Sequence, residues 1–145
     1  MSVPARLSLV TLGVTDLARA TAFYAALGWP LSSASVPDQV SFFHTAGGLL
    51  ALWSTAELAA DANLTTAGPL PDFRGVAMAI NVESPAEVDA ALDAAVAAGG
   101  TILRPATETS WGGYNGYFAD PDGWPWEVAH NPGWPIGDDE RPVLP

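Results

Sequence analysis

Cysteine and lysine are both missing from this chain, and histidine occurs only twice, at positions 44 and 130. The first absence excludes thiol nucleophiles, disulfides and thiolate metal sites. Without lysine, positive charge rests on Arg6, Arg19, Arg74, Arg104 and Arg141, against 16 acidic residues, for a net charge of −11. Such a surface repels phosphate backbones and anionic lipid, so neither nucleic acid nor a membrane is an expected partner, whereas a cationic ligand would be favoured. Long apolar runs are missing too: Ala, Thr and Gly interrupt each one well short of the roughly 20 residues needed to span a bilayer. The first residues lack the pattern of a secretory leader, and a soluble, cytoplasmic protein is expected. What is present is an apolar fraction of 49% over 145 residues, ample for the core of one domain.

The chain repeats one grammar. Val10-Thr11-Leu12-Gly13-Val14 alternates like a strand and stops at Thr15-Asp16, both good helix N-caps. Leu17, Ala20, Phe23, Tyr24 and Leu27 then fall on one helical face, and Gly28 ends the helix. The same order returns in Val76 to Val82, a capping Ser84, Pro85 in a helix first turn, an apolar stripe of Val88, Ala91, Leu92, Ala95 and Val96, and a closing Gly99-Gly100. Further strands are expected at Trp29–Leu31, Val40–Phe43 and Leu49–Trp53 in the first copy. The second copy offers Thr101–Leu103, Tyr114–Phe118 and Trp126–Ala129. The fold class is therefore α+β, with module one over 5–54, module two over 74–130, and a linker over 55–73 carrying a short helix at Thr55–Ala60. Residues 131–145, rich in Pro, Gly and Asp, predict an extended or mobile tail.

The strongest local signal is the last strand pair. Tyr114 to Phe118 and Trp126 to Ala129 flank Asp120-Pro121-Asp122-Gly123, where Pro121 presets φ and Gly123 can supply a positive one. Glu127 lies among Trp126, Val128 and Ala129, where an unpaired charge would be costly. That carboxylate is expected to be paired or to face a binding cavity.

Val10-x-Leu12-x-Val14-x-Asp16 with Ala22-Phe23-Tyr24-x-x-Leu27-Gly28-Trp29, its second copy, and the closing Tyr117-Phe118-x-Asp120-Pro121-Asp122-Gly123-x-x-x-Glu127 resemble the glyoxalase, bleomycin-resistance and extradiol-dioxygenase superfamily, the vicinal oxygen chelate proteins. The resemblance spans about residues 7 to 130, as one domain over 1–130. It implies two tandem βαβββ modules whose strands form an open, cup-shaped barrel, commonly paired across chains in a homodimer. In the metal enzymes of that superfamily four ligands sit on the cup floor. Carried over singly, those positions are Leu9, Ala51, Ala77 and Glu127. Three of the four side chains can donate nothing to a divalent ion, which needs N, O or S ligands at about 2.0–2.3 Å. No cofactor is predicted, and a metal built unconventionally from Glu127 with His44 or His130 is disfavoured because residues three apart on a strand face opposite sides.

If Glu127 faces the cup, period-two alternation turns Pro125 and Ala129 the same way and Trp126 and Val128 toward a helix. The resemblance and the alternation together predict a ligand-binding set of Leu9, Thr11, His44, Ala51, Trp53, Ala77, Asn81, Trp111, Tyr114 and Glu127. Trp111, between Ser110 and Gly112-Gly113, is the expected stacking ring for a planar ligand, and Trp124 and Trp134 are expected to cover an interface. The expected function is metal-independent binding of a small aromatic or cationic natural product. The alternative is a lyase, isomerase or dioxygenase of the superfamily using Glu127 as acid or base or as ligand of a nonstandard metal site.

Overall fold

Asp16 and Ser84 open the two longer helices by the same chemistry. In the computed structural model, which describes residues 2–66 and 68–145, the Asp16 carboxylate accepts from the Arg19 amide at 3.0 Å and the Ser84 hydroxyl from the Glu87 amide at 3.2 Å. Glu87 reaches back to the Glu83 amide at 2.6 Å, so two otherwise orphaned donors are satisfied at that end. Helix α1 runs Leu17–Ala26 and α3 Pro85–Ala97. Both stop on a glycine at positive φ, Gly28 at 86° and Gly99 at 107°, with amide bonds returning from Trp29 to Tyr24 and from Gly100 to Ala95.

The chain divides into two compact units, Met1–Ala67 and Gly68–Pro145. In the first, β1 (Leu9–Val14), β2 (Val40–Thr45) and β3 (Gly48–Ser54) form a sheet of order β1-β3-β2. Ala20, Phe23 and Tyr24 of α1 are buried with Leu12, Val14, Phe43, Leu50 and Leu52. Tyr24 meets Phe23 edge-on at 5.0 Å and lies 5.9 Å from Phe43. Each such side chain contributes about 1.5–3 kcal/mol on burial. Beside them the hydroxyls of Thr21 and Ser41 bond at 2.7 Å, so this polar pair between helix and sheet is satisfied. The short helix expected in the linker forms as α2, Thr55–Asp61.

The second unit holds β4 (Met78–Asn81), β5 (Thr101–Glu108), β6 (Tyr114–Ala119) and β7 (Pro125–His130), in the order β4-β7-β6-β5. Val88, Leu92 and Ala95 of α3 are buried with Phe118, Trp126 and Val128, and the Phe118 and Trp126 rings stack 6.3 Å apart. Gly116 permits the close approach: a Cβ there would lie 2.7 Å from Leu92 Cδ1 and 2.9 Å from the Ala106 amide nitrogen. Asp120 organises the turn between β6 and β7, its Oδ1 accepting from the amides of Asp122 and Trp124 at 2.9 Å.

The expectations for two strands and one helix stripe are corrected. Trp29–Leu31 is not a strand, because Pro30 has no amide to donate and only an isolated bridge from Leu31 to Phe43 forms. Strand β5 runs five residues beyond Leu103, past Pro105, which an edge strand tolerates, with register shifts between Ile102 and Thr107. Val96 points outward from the predicted α3 stripe. The tail carries a hydrogen-bonded turn, with the Gly137 amide to Arg141 at 2.8 Å and the Val143 amide to Pro135 at 2.8 Å. Trp124 bears the Arg74 guanidinium 3.7 Å over its ring, and Arg74 also donates to the Asp122 carbonyl at 2.7 Å.

Candidate functional site

Pairing in the first sheet sets Thr11 and Phe42 opposite Ala51, Gly13 and Val40 opposite Trp53, and Leu9 and His44 opposite Leu49. Directly paired residues share a face, so all of these side chains lie on the face away from α1. Thr11, Gln39, Val40, Phe42, Ala51 and Trp53 line a cavity of about 370 Å³ there. Thr11, Ala51 and Trp53 are thus brought together as predicted. Leu9 and His44 are exposed and lie outside the cavity, at the far end of the same face. Phe42 was legible from its alternation with the buried Phe43, whereas Gln39 precedes the strand and carried no periodic signal.

In the second sheet Glu127 stands between Ala79 and Tyr117, and Ala129 between Asn81 and Asn115. The alternation predicted for Trp126 and Val128 holds, since both are buried on the α3 side. Glu127 is paired. The Asn115 side-chain nitrogen donates to Glu127 Oε2 at 2.5 Å, and Asn115 Oδ1 accepts from Arg104 Nη2 at 2.5 Å. Guanidinium only donates and carboxylate only accepts, so the two charges dictate which way the amide is turned. Asn115 is 7% exposed, and both ends of its amide are used. Arg104 donates further to Thr107 Oγ1 at 3.0 Å and lies 5.4 Å from the Tyr117 ring centroid. Burial above all, then the charge of Glu127 and a hydrogen bond to it, hold the Tyr117 phenol above its ordinary pKa, while Arg104 acts in the opposite direction. Arg104 and Asn115 join Gln39 and Phe42 as residues that sequence reasoning missed.

Other predicted residues fall elsewhere. Tyr114 pairs with His130, on the face opposite Glu127, and its hydroxyl donates to Asp89 of α3 at 2.8 Å, which raises its pKa together with desolvation and the charges of Asp89 and Glu108. It is therefore not a neighbour of Glu127, because its strand partner lies three positions from that carboxylate, an odd step that reverses the face. His130 Nδ1 bonds the Val82 carbonyl at 3.2 Å. Trp111 is 49% exposed, and its ring folds back over Gly113. Ala77 is exposed and precedes β4, and Asn81 ends that strand on the Glu127 face. Leu9, Ala51 and Ala77 offer no donor atom, and among the described residues no group of three or more His, Cys, Asp or Glu side chains is placed to hold a metal ion. The donor set does not fit a divalent metal of the kind this architecture carries.

Two units of strand–helix–strand grammar closed by Asp120-Pro121-Asp122-Gly123 and Glu127 place the chain in a family: it belongs to the glyoxalase/bleomycin resistance protein/dioxygenase superfamily, whose sequence model matches residues 6–128. It is similar to a glyoxalase-related enzyme from Fulvimarina pelagi, with 35% identity and a TM-score of 0.85 over 97% of this chain and 99% of that one. A glyoxalase/bleomycin resistance protein/dioxygenase from Nocardioides is 28% identical, at TM-score 0.74 over 95% of this chain and 91% of that one. A lactoylglutathione lyase from Agrobacterium tumefaciens is 26% identical, at TM-score 0.67 over 88% and 95% respectively. Among curated proteins no match was found. No helix among the described residues is long and apolar enough to cross a membrane.

Proposed function

We propose that this superfamily member binds a small aromatic or cationic natural product without a resident metal. The observation that carries the reading is the cavity on the first sheet, where Trp53 and Phe42 supply ring faces and Thr11 and Gln39 supply polar points. Its volume lies within the range of about 300–1,000 Å³ of ligand sites, and its mostly apolar lining with few polar groups has the usual profile. The aliphatic residues at three of the four inherited ligand positions support the metal-independent form. A homodimer is part of the proposal, to be checked by light scattering in solution.

Tryptophan emission of purified protein, titrated with glycopeptide and intercalator-type antibiotics, tests it. Quenching is expected in the wild type and is lost in Trp53→Ala. An unchanged wild-type spectrum with every compound sinks the binding reading, and stoichiometric Zn, Ni, Mn or Fe in protein purified without chelator sinks the metal-free one.

One observation favours a second reading, an enzyme of the lyase, isomerase or dioxygenase type with Glu127 as acid or base. Glu127 is held by Asn115 and Tyr117, as a group that must present one oxygen in a fixed direction would be. The relative from Fulvimarina pelagi is itself described as an enzyme.

A further inference from the structure

A second cavity lies on the other side of the second sheet. It measures about 630 Å³ and is lined by Pro85 and Asp89 of α3, Glu108 at the end of β5, Thr109, Gly112 and Gly113 of the following loop, and Tyr114 and His130. Because Tyr114 and His130 face away from Glu127, this cavity is separate from the candidate site described above. Two carboxylates line it and none of the five arginines does.

The walls are held in place. Tyr114 is pinned by its hydrogen bond to Asp89. His130 spends Nδ1 on the Val82 carbonyl, and its Nε2 makes no hydrogen bond among the described residues. A hydrogen bond from a ring nitrogen to a carbonyl requires the proton on that nitrogen, so Nε2 of the neutral ring is an acceptor. The loop is closed by the Thr109 amide to the Gly113 carbonyl at 3.0 Å and the Gly113 amide to Thr109 Oγ1 at 2.9 Å. Gly113 has no room for a Cβ, since the Trp111 ring and the His130 carbonyl already occupy that space. Trp111 thus adds an aromatic surface beside the glycine that lines the cavity.

Carboxylates, an imidazole acceptor, a phenol oxygen and an indole face are all groups that attract positive charge. A metal ion is the wrong occupant, because these His, Asp and Glu side chains do not converge closely enough to hold one, and the volume is that of a molecule rather than an ion. We propose that this cavity is a second binding site, taking a small organic cation: an ammonium group seated between Asp89 and Glu108, with its organic body along Tyr114 and Trp111.

The test is an amide-resolved NMR titration with benzylammonium, with benzoate and benzyl alcohol as anionic and neutral controls. Saturable shifts are expected at Gly112, Gly113 and Tyr114 with the cation alone. Asp89→Asn combined with Glu108→Gln should weaken binding about tenfold, as the loss of two exposed charge contacts would. Glu108→Gln alone keeps the test readable should the loss of Asp89 disturb Tyr114, because the Glu108 carboxylate makes no hydrogen bond among the described residues. Equal shifts from benzoate, an affinity unaltered in both variants, or shifts confined to Thr11, Ala51 and Trp53 would overturn the proposal.

Discussion

The two sheets are made from one grammar, yet the faces turned away from their helices differ in chemistry. On the first, Thr11, Phe42, Ala51 and Trp53 are joined by packing, with a cavity among them. On the second, Arg104, Asn115, Tyr117 and Glu127 are joined by hydrogen bonds and charge. A repeated architecture therefore constrains the helix side, where apolar residues of similar size must meet, and leaves the other face open to different residues.

The helix sides provide the largest test of this contrast. Phe43, fully buried against α1, has no counterpart that could fill its space, and Phe43→Ala is expected to cost about 3–5 kcal/mol in urea unfolding. The second unit is vulnerable in the opposite sense, to added volume. Gly116→Val would press on the Ala106 backbone and on Leu92, costing about 1–3 kcal/mol, whereas Gly47→Ala, with open space around it, should be near neutral. Equal tolerance of Gly116→Val and Gly47→Ala would show that α3 does not pack as closely as described.

The faces away from the helices differ next. Asn115→Leu removes the amide between two charges and leaves Arg104 and Glu127 each without that partner, for an expected loss of about 1–3 kcal/mol. Thr11→Val, on the matching face of the first sheet, should stay within about 0.5 kcal/mol. If both cost the same, the polar network is no more than surface decoration.

What was legible in the sequence follows from the range over which each interaction acts. Helix caps and glycine stops are local, so Asp16, Ser84, Gly28 and Gly99 could be read directly. The inward set of Thr11, Ala51 and Trp53 needed only period two. Asn115 was within reach of the same logic, two residues before Tyr117, and alternation should have removed Tyr114 as it removed His130. Arg104 was not within reach: the register shift between Ile102 and Arg104 changes which β5 residues share a face with Tyr117, and a bulge leaves no periodic trace. The size of each cavity depends on contacts between distant segments, which no local pattern carries.

The smallest expected effect concerns the two tyrosines on opposite faces of the second sheet. Tyr117 is raised first by burial and then by Glu127; Tyr114 is raised first by its bond to Asp89. A phenol whose folded pKa exceeds its unfolded value, about 10, holds its proton more firmly in the native state. Stability from this source is complete below that pH and is lost as pH rises through the folded pKa, because the unfolded chain then binds fewer protons than the native one. Alkaline titration of phenolate absorbance should therefore show both groups ionising above ordinary tyrosine, with Tyr117→Phe removing one delayed transition. Glu127→Gln separates the causes, since it abolishes the charge but keeps the volume. Tyr117 should move back toward the ordinary value while Tyr114, across the sheet, stays where it was. A Tyr117 transition that does not respond to Glu127→Gln would mean that burial alone raises it, and that the second face is joined by packing after all.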